Sequence, residues 1–252
     1  LVRTVPGRGR LLVADGETAL DRVLGMGCWT PVERFGIDAK SPWRLILERD
    51  DASRFRVVHQ QGEANEDAVV DWTLTGTHNA LNALAALAAA HVFGVDLARG
   101  CAALSRFETP RRRQEVRGEV AGIQVIDDFA HHPTAFAATL EGLRAATPRG
   151  RLLAVIEPRS NTMRLGTMRD RLTASVAAAD LAFWYQPPGL DWSLAPVVEA
   201  SPVPARLEED IDELVTALVA EARPLDRIVV MSNGGFGGIH EKLLAALEVA
   251  HG

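Results

Sequence analysis

Lysine is nearly missing from this sequence. Of 27 basic residues only Lys40 and Lys242 are lysines, and neither sits in a phosphate-binding motif. Chemistry that depends on a lysine therefore has two candidates. Cysteine is just as scarce. Cys28 and Cys101 are too few for a disulfide scaffold and lack metal-ligand spacing. No apolar run reaches the roughly 18 residues of a membrane span. A net charge of −6 argues against nonspecific nucleic-acid binding. Repeats and low-complexity tracts are absent too. Together these absences point to a reducing, cytoplasmic setting with no nucleic-acid and no membrane partner. What is present suits a packed protein: 252 residues, 47% of them hydrophobic, enough for one large core or two. The sequence opens at Leu1 rather than a methionine, which reads as a piece of a longer chain.

Residues 1–70 read as strands and turns with some helix. "RLLVADG" is a strand entering a turn, and "GETALDRVLGMG" a short amphipathic helix. "WRLILERD" and "FRVVHQQG" form a hairpin around "DASR", and residues 68–74 a further strand. The alanine-rich "TGTHNALNALAALAAAHVFGV" is a helix to about His91, capped by Thr75 or Thr77, with a shorter helix over 96–107. The charged "ETPRRRQEVRGEVAG" breaks the pattern. The expected division is 1–108 and 109–252.

The second half alternates between strand and helix. Strands are expected at 123–128, 151–157, 180–185, 197–200 and 227–232, and helices at 133–146, 167–179, 208–222 and 239–250. Near-continuous apolar strands between helices predict an α/β fold with a mostly parallel sheet covered on both faces.

In such sheets ligands sit beyond the carboxyl ends of the strands. Three strand ends here carry polar loops: "DDFAHHP" after 123–128, "EPRSNT" after 151–157 and "SNGGFGGIH" after 227–232. If the sheet is parallel, all three share one edge. Each has a bland alternative: a capped helix start, a solvated loop, a tight glycine turn. In "DDFAHHP" the adjacent His131 and His132 diverge in any regular element, so a zinc site is disfavoured. A phosphate and Mg²⁺ neighbourhood fits better. No side chain is assigned as a metal ligand. Arg159 offers a guanidinium fork for carboxylate or phosphate. Asn79 and Asn82 share a face at the start of the alanine helix, with His78 beside them. Capping explains one asparagine; an adenine ring, which needs paired donor and acceptor, explains two.

In this order the motifs resemble the Mur ligase family of ATP-dependent amide-forming enzymes. "GTHNALNALAA" is similar to its central-domain His-Asn-x-x-Asn segment, and "FETPRRRQEVRG" to the start of its carboxy-terminal domain. "VIDDFAHHPTA" is similar to the Asp-Asp-x-x-His-His-Pro motif of the branch acting on UDP-N-acetylmuramate. The resemblance covers essentially the whole chain. It implies the end of a central ATPase domain (1–108) followed by a Rossmann-like carboxy-terminal domain (109–252). It implies ATP and Mg²⁺ as cofactors. ATP would phosphorylate the lactyl carboxylate of UDP-N-acetylmuramate, and the amine of a recycled murein tripeptide would attack the acyl phosphate. On this resemblance His78, Asn79 and Asn82 contact adenine, Arg113 reaches the phosphates and Asp128 holds the ribose. His131 and His132 line the reacting junction. Arg159, Ser160 and Asn161 grip the incoming peptide, with Asn233, Gly235 and His240 as further substrate contacts. Asp127 braces the turn. The family's Gly-x-x-Gly-Lys-[Ser/Thr] loop is not among these residues. The resemblance therefore implies further domains of the same polypeptide as partners, and no turnover by this piece alone. Two other readings stay open: a family member adding L-alanine instead, and a non-catalytic Rossmann-like peptide- or nucleotide-binding module.

Overall fold

Alternating apolar and polar residues build the first sheet. The computed structural model describes residues 2–37, 40–147 and 149–252, the side chain of Gln61 aside. It divides into two compact units, Leu1–Glu108 and Thr109–Gly252. In the first unit β1 (Leu11–Ala14) and β2 (Val32–Gly36) run parallel, joined through helix α1 (Thr18–Gly25). β3 (Trp43–Leu47), β4 (Arg54–Gln61) and β5 (Ala64–Asp71) complete the order β1-β2-β3-β4-β5, with antiparallel pairing across β3, β4 and β5. Helix α2 (Thr77–Val92) lays Ala80, Ala83, Leu84, Leu87 and Ala88 against this sheet, and α3 (Leu97–Leu104) adds Leu97 and Cys101.

Two expectations change here. The last strand lies at Ala64–Asp71 rather than at 68–74. A tight turn at Gly62 (φ +64) pairs Gln61 with Ala64, so the polar "ANED" joins the ladder and Trp72 leaves it. The α2 N-cap is Gly76, with no side-chain cap bond, rather than Thr75 or Thr77. Its φ of +92°, ψ of +135° favours glycine.

The second unit holds β6 (Glu115–Val120), β7 (Ile123–Asp128), β8 (Leu152–Ile156), β9 (Leu181–Tyr185), β10 (Ala205–Glu208) and β11 (Arg227–Met231). Their order is β10-β9-β8-β11-β7-β6. All pairs are parallel except β6 with β7. The sheet is thus mostly parallel, as the apolar strands predict. Alternate side chains serve two cores. Leu152, Ala154 and Ile156 face one side, where α4 (Pro133–Ala145) packs Phe136, Leu140 and Leu143. Leu153 and Val155 face the other, with α5 (Ile211–Glu221) and α6 (Ile239–His251). Fully buried side chains of the size of Phe136 each contribute about 2–3 kcal/mol by removal from water.

Several elements depart from the periodicity. Residues 167–179 are not one helix. A turn of helix at Arg169–Leu172 passes into a 3₁₀ segment at Thr173–Val176. There Ser175 Oγ donates to the Leu172 carbonyl at 2.6 Å, which competes with the helical ladder. The predicted strand at 197–200 is part of a short helix, Ala195–Glu199, begun by Pro196. Its strand is instead β10, a short edge carrying Arg206 and Glu208, while Asn161–Arg164 adds a helical turn after β8. β6 lies in the charged stretch read as a break, with a register shift between Val116 and Gly118. No helix among the described residues is long and apolar enough to cross a membrane.

Candidate functional site

The order β8-β11-β7 decides where the polar loops go. β11 lies between β7 and β8, with Met231 level with both Asp128 and Ile156. All three strands run the same way, so their loops leave one edge, at the switch point where parallel sheets take ligands. The Ser232 N–H donates to the Asp128 carbonyl at 3.2 Å, and the Glu157 N–H to the Met231 carbonyl at 3.2 Å. These bonds carry the sheet into the loops.

Asp127 is buried in a cationic setting. Arg112 Nε lies 3.1 and 3.3 Å from its two oxygens, Arg117 3.6 Å away and His240 Nε2 3.4 Å away, the last without hydrogen-bond alignment. Burial alone would raise the Asp127 pKa. His240 and Arg112 outweigh it, and the carboxyl is held below its ordinary value. Arg112 also donates to the Ser232 carbonyl at 2.7 Å, tying the β11 loop to the end of β7.

Asp128 behaves differently. Its Oδ1 accepts from Ala130 N–H at 2.8 Å and Thr139 Oγ1 at 3.3 Å, and its Oδ2 from Gln114 N–H at 3.0 Å. Burial dominates over these bonds and over the Arg113 charge, and pushes its pKa up. Both oxygens are engaged by backbone N–H groups, and Oδ1 by the Thr139 hydroxyl as well.

The "RRRQ" segment owes its shape to left-handed residues. Arg112 has φ +63° and Gln114 φ +53°, each costly for a side chain with a Cβ. Arg113, between them, is exposed and lies 5.6 Å over the Phe129 ring. Arg112 turns in and Arg113 turns out.

His131 and His132 take opposite tautomers. His131 Nδ1 meets the Phe129 carbonyl at 2.9 Å. A carbonyl only accepts, so Nδ1 carries the hydrogen and Nε2 a lone pair. His132 is the N-cap of α4, with Pro133 at the first turn, and its Nδ1 accepts from Thr134 N–H at 3.3 Å. In the neutral ring its Nε2 is then the donor. These hydrogens follow from the hydrogen-bond network.

Ser160 caps the turn Asn161–Arg164, its Oγ accepting from Met163 N–H at 3.3 Å, while Arg159 and Asn161 are exposed. The Arg159 side chain lies across Gly234, where a Cβ would overlap it. Glu157 is buried and accepts from Ser232 Oγ at 2.5 Å, and that oxygen accepts from Gly234 N–H at 2.9 Å. Asn233 is half-buried, with an Oδ1 that has no hydrogen-bond partner. Gly235 is exposed. His240, in the first turn of α6, is buried against Asp127.

The second-unit candidates therefore gather on one sheet edge. His78, Asn79 and Asn82 lie in the first unit, in the first turns of α2. Asn79 Nδ2 donates to the Thr75 carbonyl at 2.8 Å, and Asn82 is exposed. Sequence reasoning missed Arg112, Gln114, Thr139, Glu157 and Ser232. Their polar chemistry is visible, but their partners are set by tertiary contacts.

Residues 112–234 match the family described as Mur ligase, glutamate ligase domain. The UDP-N-acetylmuramate–L-alanyl-gamma-D-glutamyl-meso-2,6-diaminoheptandioate ligase of Haemophilus influenzae is 43% identical, over 99% of this chain and 54% of that protein. The protein of that name from Escherichia coli is 45% identical, over 98% and 53%. A crystal structure of a murein peptide ligase from Psychrobacter arcticus overlays with a TM-score of 0.74 at 42% identity, over 98% of this chain and 53% of that one. The chain spans about half the length of the curated relatives it matches.

Proposed function

The chain belongs to the Mur ligase family, and we propose that it serves an ATP-dependent amide ligase of peptidoglycan recycling. The reaction joins L-alanyl-γ-D-glutamyl-meso-diaminopimelate to UDP-N-acetylmuramate in the cytoplasm. Residues 1–108 are assigned to the end of the ATPase domain and 109–252 to the carboxy-terminal domain. Support comes from the names of the relatives, which carry both substrates. The observation that carries the reading is the shared edge of the three loops, with Arg159 laid across Gly234.

In this proposal the γ-phosphoryl group of ATP passes to the lactyl carboxylate, giving ADP and an acyl phosphate. The peptide amine then attacks the acyl carbon, inorganic phosphate leaves and the amide forms. The amine must lose a proton, and the Nε2 lone pair of His131 is the assigned acceptor. The Nε2 hydrogen of His132 is assigned to a phosphate oxygen. Exposed Arg113 reaches the nucleotide phosphates. His78, Asn79 and Asn82 take the adenine. Arg159, Ser160, Asn161, Asn233 and Gly235 hold the peptide, with the unpartnered Asn233 Oδ1 accepting from its ammonium. Asp128, with both oxygens engaged, and His240, buried on Asp127, set the position of the ribose and substrate contacts. Catalysis here is mainly positioning.

Mg²⁺ would supply neutralisation of phosphate charge. The acids at this edge fit it poorly as ligands, since Asp127, Asp128 and Glu157 all face protein partners. No step is assigned to Mg²⁺ on these residues. The phosphate-gripping lysine and the UDP site are assigned to polypeptide outside these residues.

Calorimetry of the chain against tripeptide, and separately against L-alanine, tests the proposal. Binding of tripeptide without L-alanine is the expected result. Equal binding of L-alanine would favour an L-alanine-adding ligase, and binding of neither would remove the peptide site from these loops.

A further inference from the structure

The first unit carries a second polar cluster, far in sequence from any residue of the ligase reading except α2. His59 on β4 stands level with Trp43 on β3 and with Glu66 on β5, so the three form one row across the sheet. His91, from the last turn of α2, joins them. One ligand atom from each of His59, Glu66 and His91 lies within 4.8 Å of the other two. No other such group occurs among the described residues. The His59 and His91 rings meet edge to face at 4.7 Å, and Trp43 stacks on His59 at 3.9 Å.

A core histidine held by ordinary hydrogen bonds does not account for this cluster. His59 is 4% exposed, yet its Nδ1 has no hydrogen-bond partner. Buried polar atoms are rarely left so, because the lost hydration is not replaced. Its Nε2 faces Glu33 Oε1 at 3.7 Å, and Glu33 is itself fixed by Trp43 Nε1 at 2.8 Å. A hydrogen on Nε2 toward that carboxylate leaves Nδ1 with a bare lone pair. His91 shows the same logic. Its Nδ1 meets the Val95 carbonyl at 3.2 Å, so Nδ1 carries the hydrogen and Nε2 the lone pair. His91 gives its hydrogen to a carbonyl, His59 faces a carboxylate with its Nε2, and each ring keeps a nitrogen for a ligand, as metal-bound histidines do.

We propose that His59, Glu66 and His91 bind a zinc-class divalent ion that clamps the β4–β5 hairpin to the end of α2. Two imidazoles and one carboxylate are a common zinc ligand set, with water in the fourth place. A tetrahedral ion needs these atoms about 3.3 Å apart. Glu66 is exposed and is the ligand able to swing in. Glu33 acts on His59 from behind, as a positioning residue.

The test is a titration of chelator-stripped protein with Co²⁺, followed by displacement with Zn²⁺. The expected result is one tetrahedral cobalt per chain by its visible absorption, lost on adding zinc, with a raised melting temperature in ZnCl₂. Glu66→Gln and His91→Gln should each weaken Co²⁺ binding by more than about tenfold. Glu66 is exposed, so Glu66→Gln should leave the metal-free melting temperature unchanged. Absence of a cobalt band overturns the site. So does binding that both variants leave intact, which would put the ion at other histidines.

Discussion

Arg112 grips Asp127 with Nε and reaches past it to the Ser232 carbonyl, joining the ends of β7 and β11 through one side chain. Removing it would leave a buried carboxylate short of its closest cation. Arg117 and His240 remain, so the cost falls below that of a fully orphaned charge. Arg112→Ala is expected to lose roughly 2–3 kcal/mol in a urea melt. Arg112→Lys should recover only part, because an ammonium lacks the planar fork with which the guanidinium meets both acceptors at once.

Asp127 gives a pH signature. Its folded pKa lies below the ordinary 3.8. Its stabilising contribution is thus complete above that value and is lost as pH falls through the lower folded pKa. Asp127→Asn removes the ionisable group. Thermal melts should show wild type well above Asp127→Asn at pH 7, with the gap closing below pH 4. A gap independent of pH would mean that Asp127 acts by shape alone.

The two cysteines should differ in reactivity. Cys101 is buried in α3, and burial, helped by Asp96, pushes its thiol up to about 11. Cys28 is only half-buried. At pH 8 a thiol reagent is expected to titrate one group per chain, and two after denaturation. Cys28→Ser should abolish the first. Two fast groups in the native protein would contradict the packing of α3.

Gly234 is expected to act through its neighbour. A Cβ there meets the Arg159 side chain, which is exposed and can move aside. Gly234→Ala should therefore change the melting temperature by little while weakening tripeptide binding several-fold. A large loss of stability with affinity intact would show that the contact serves the fold instead.

The parallel sheet was legible because β8, β9 and β11 are almost continuous apolar runs, which two-sided burial explains. The convergence of the loops after β7, β8 and β11 followed from that one property. β6 and β10 were hidden because edge strands are half solvated and carry charge. Pro196 outweighed two adjacent valines and made a helix where a strand was expected. Within the site, three consecutive arginines offer the same chemistry. Only the left-handed backbone at Arg112 separates the inward residue from the outward Arg113. The Glu157–Ser232 bond needs β8 and β11 side by side, an order that alternation does not reveal. His59 and Glu66 face each other only because the turn falls at Gly62, inside a stretch too polar to read as strand.

The three strand-end loops are proposed to hold a peptide through Arg159. Calorimetric titration of L-alanyl-γ-D-glutamyl-meso-diaminopimelate into wild type and Arg159→Ala decides whether they do. Saturable one-to-one binding should weaken about tenfold or more in the variant, through loss of a charge-assisted hydrogen bond to a carboxylate. Equal affinity in the two proteins would remove Arg159 from the site.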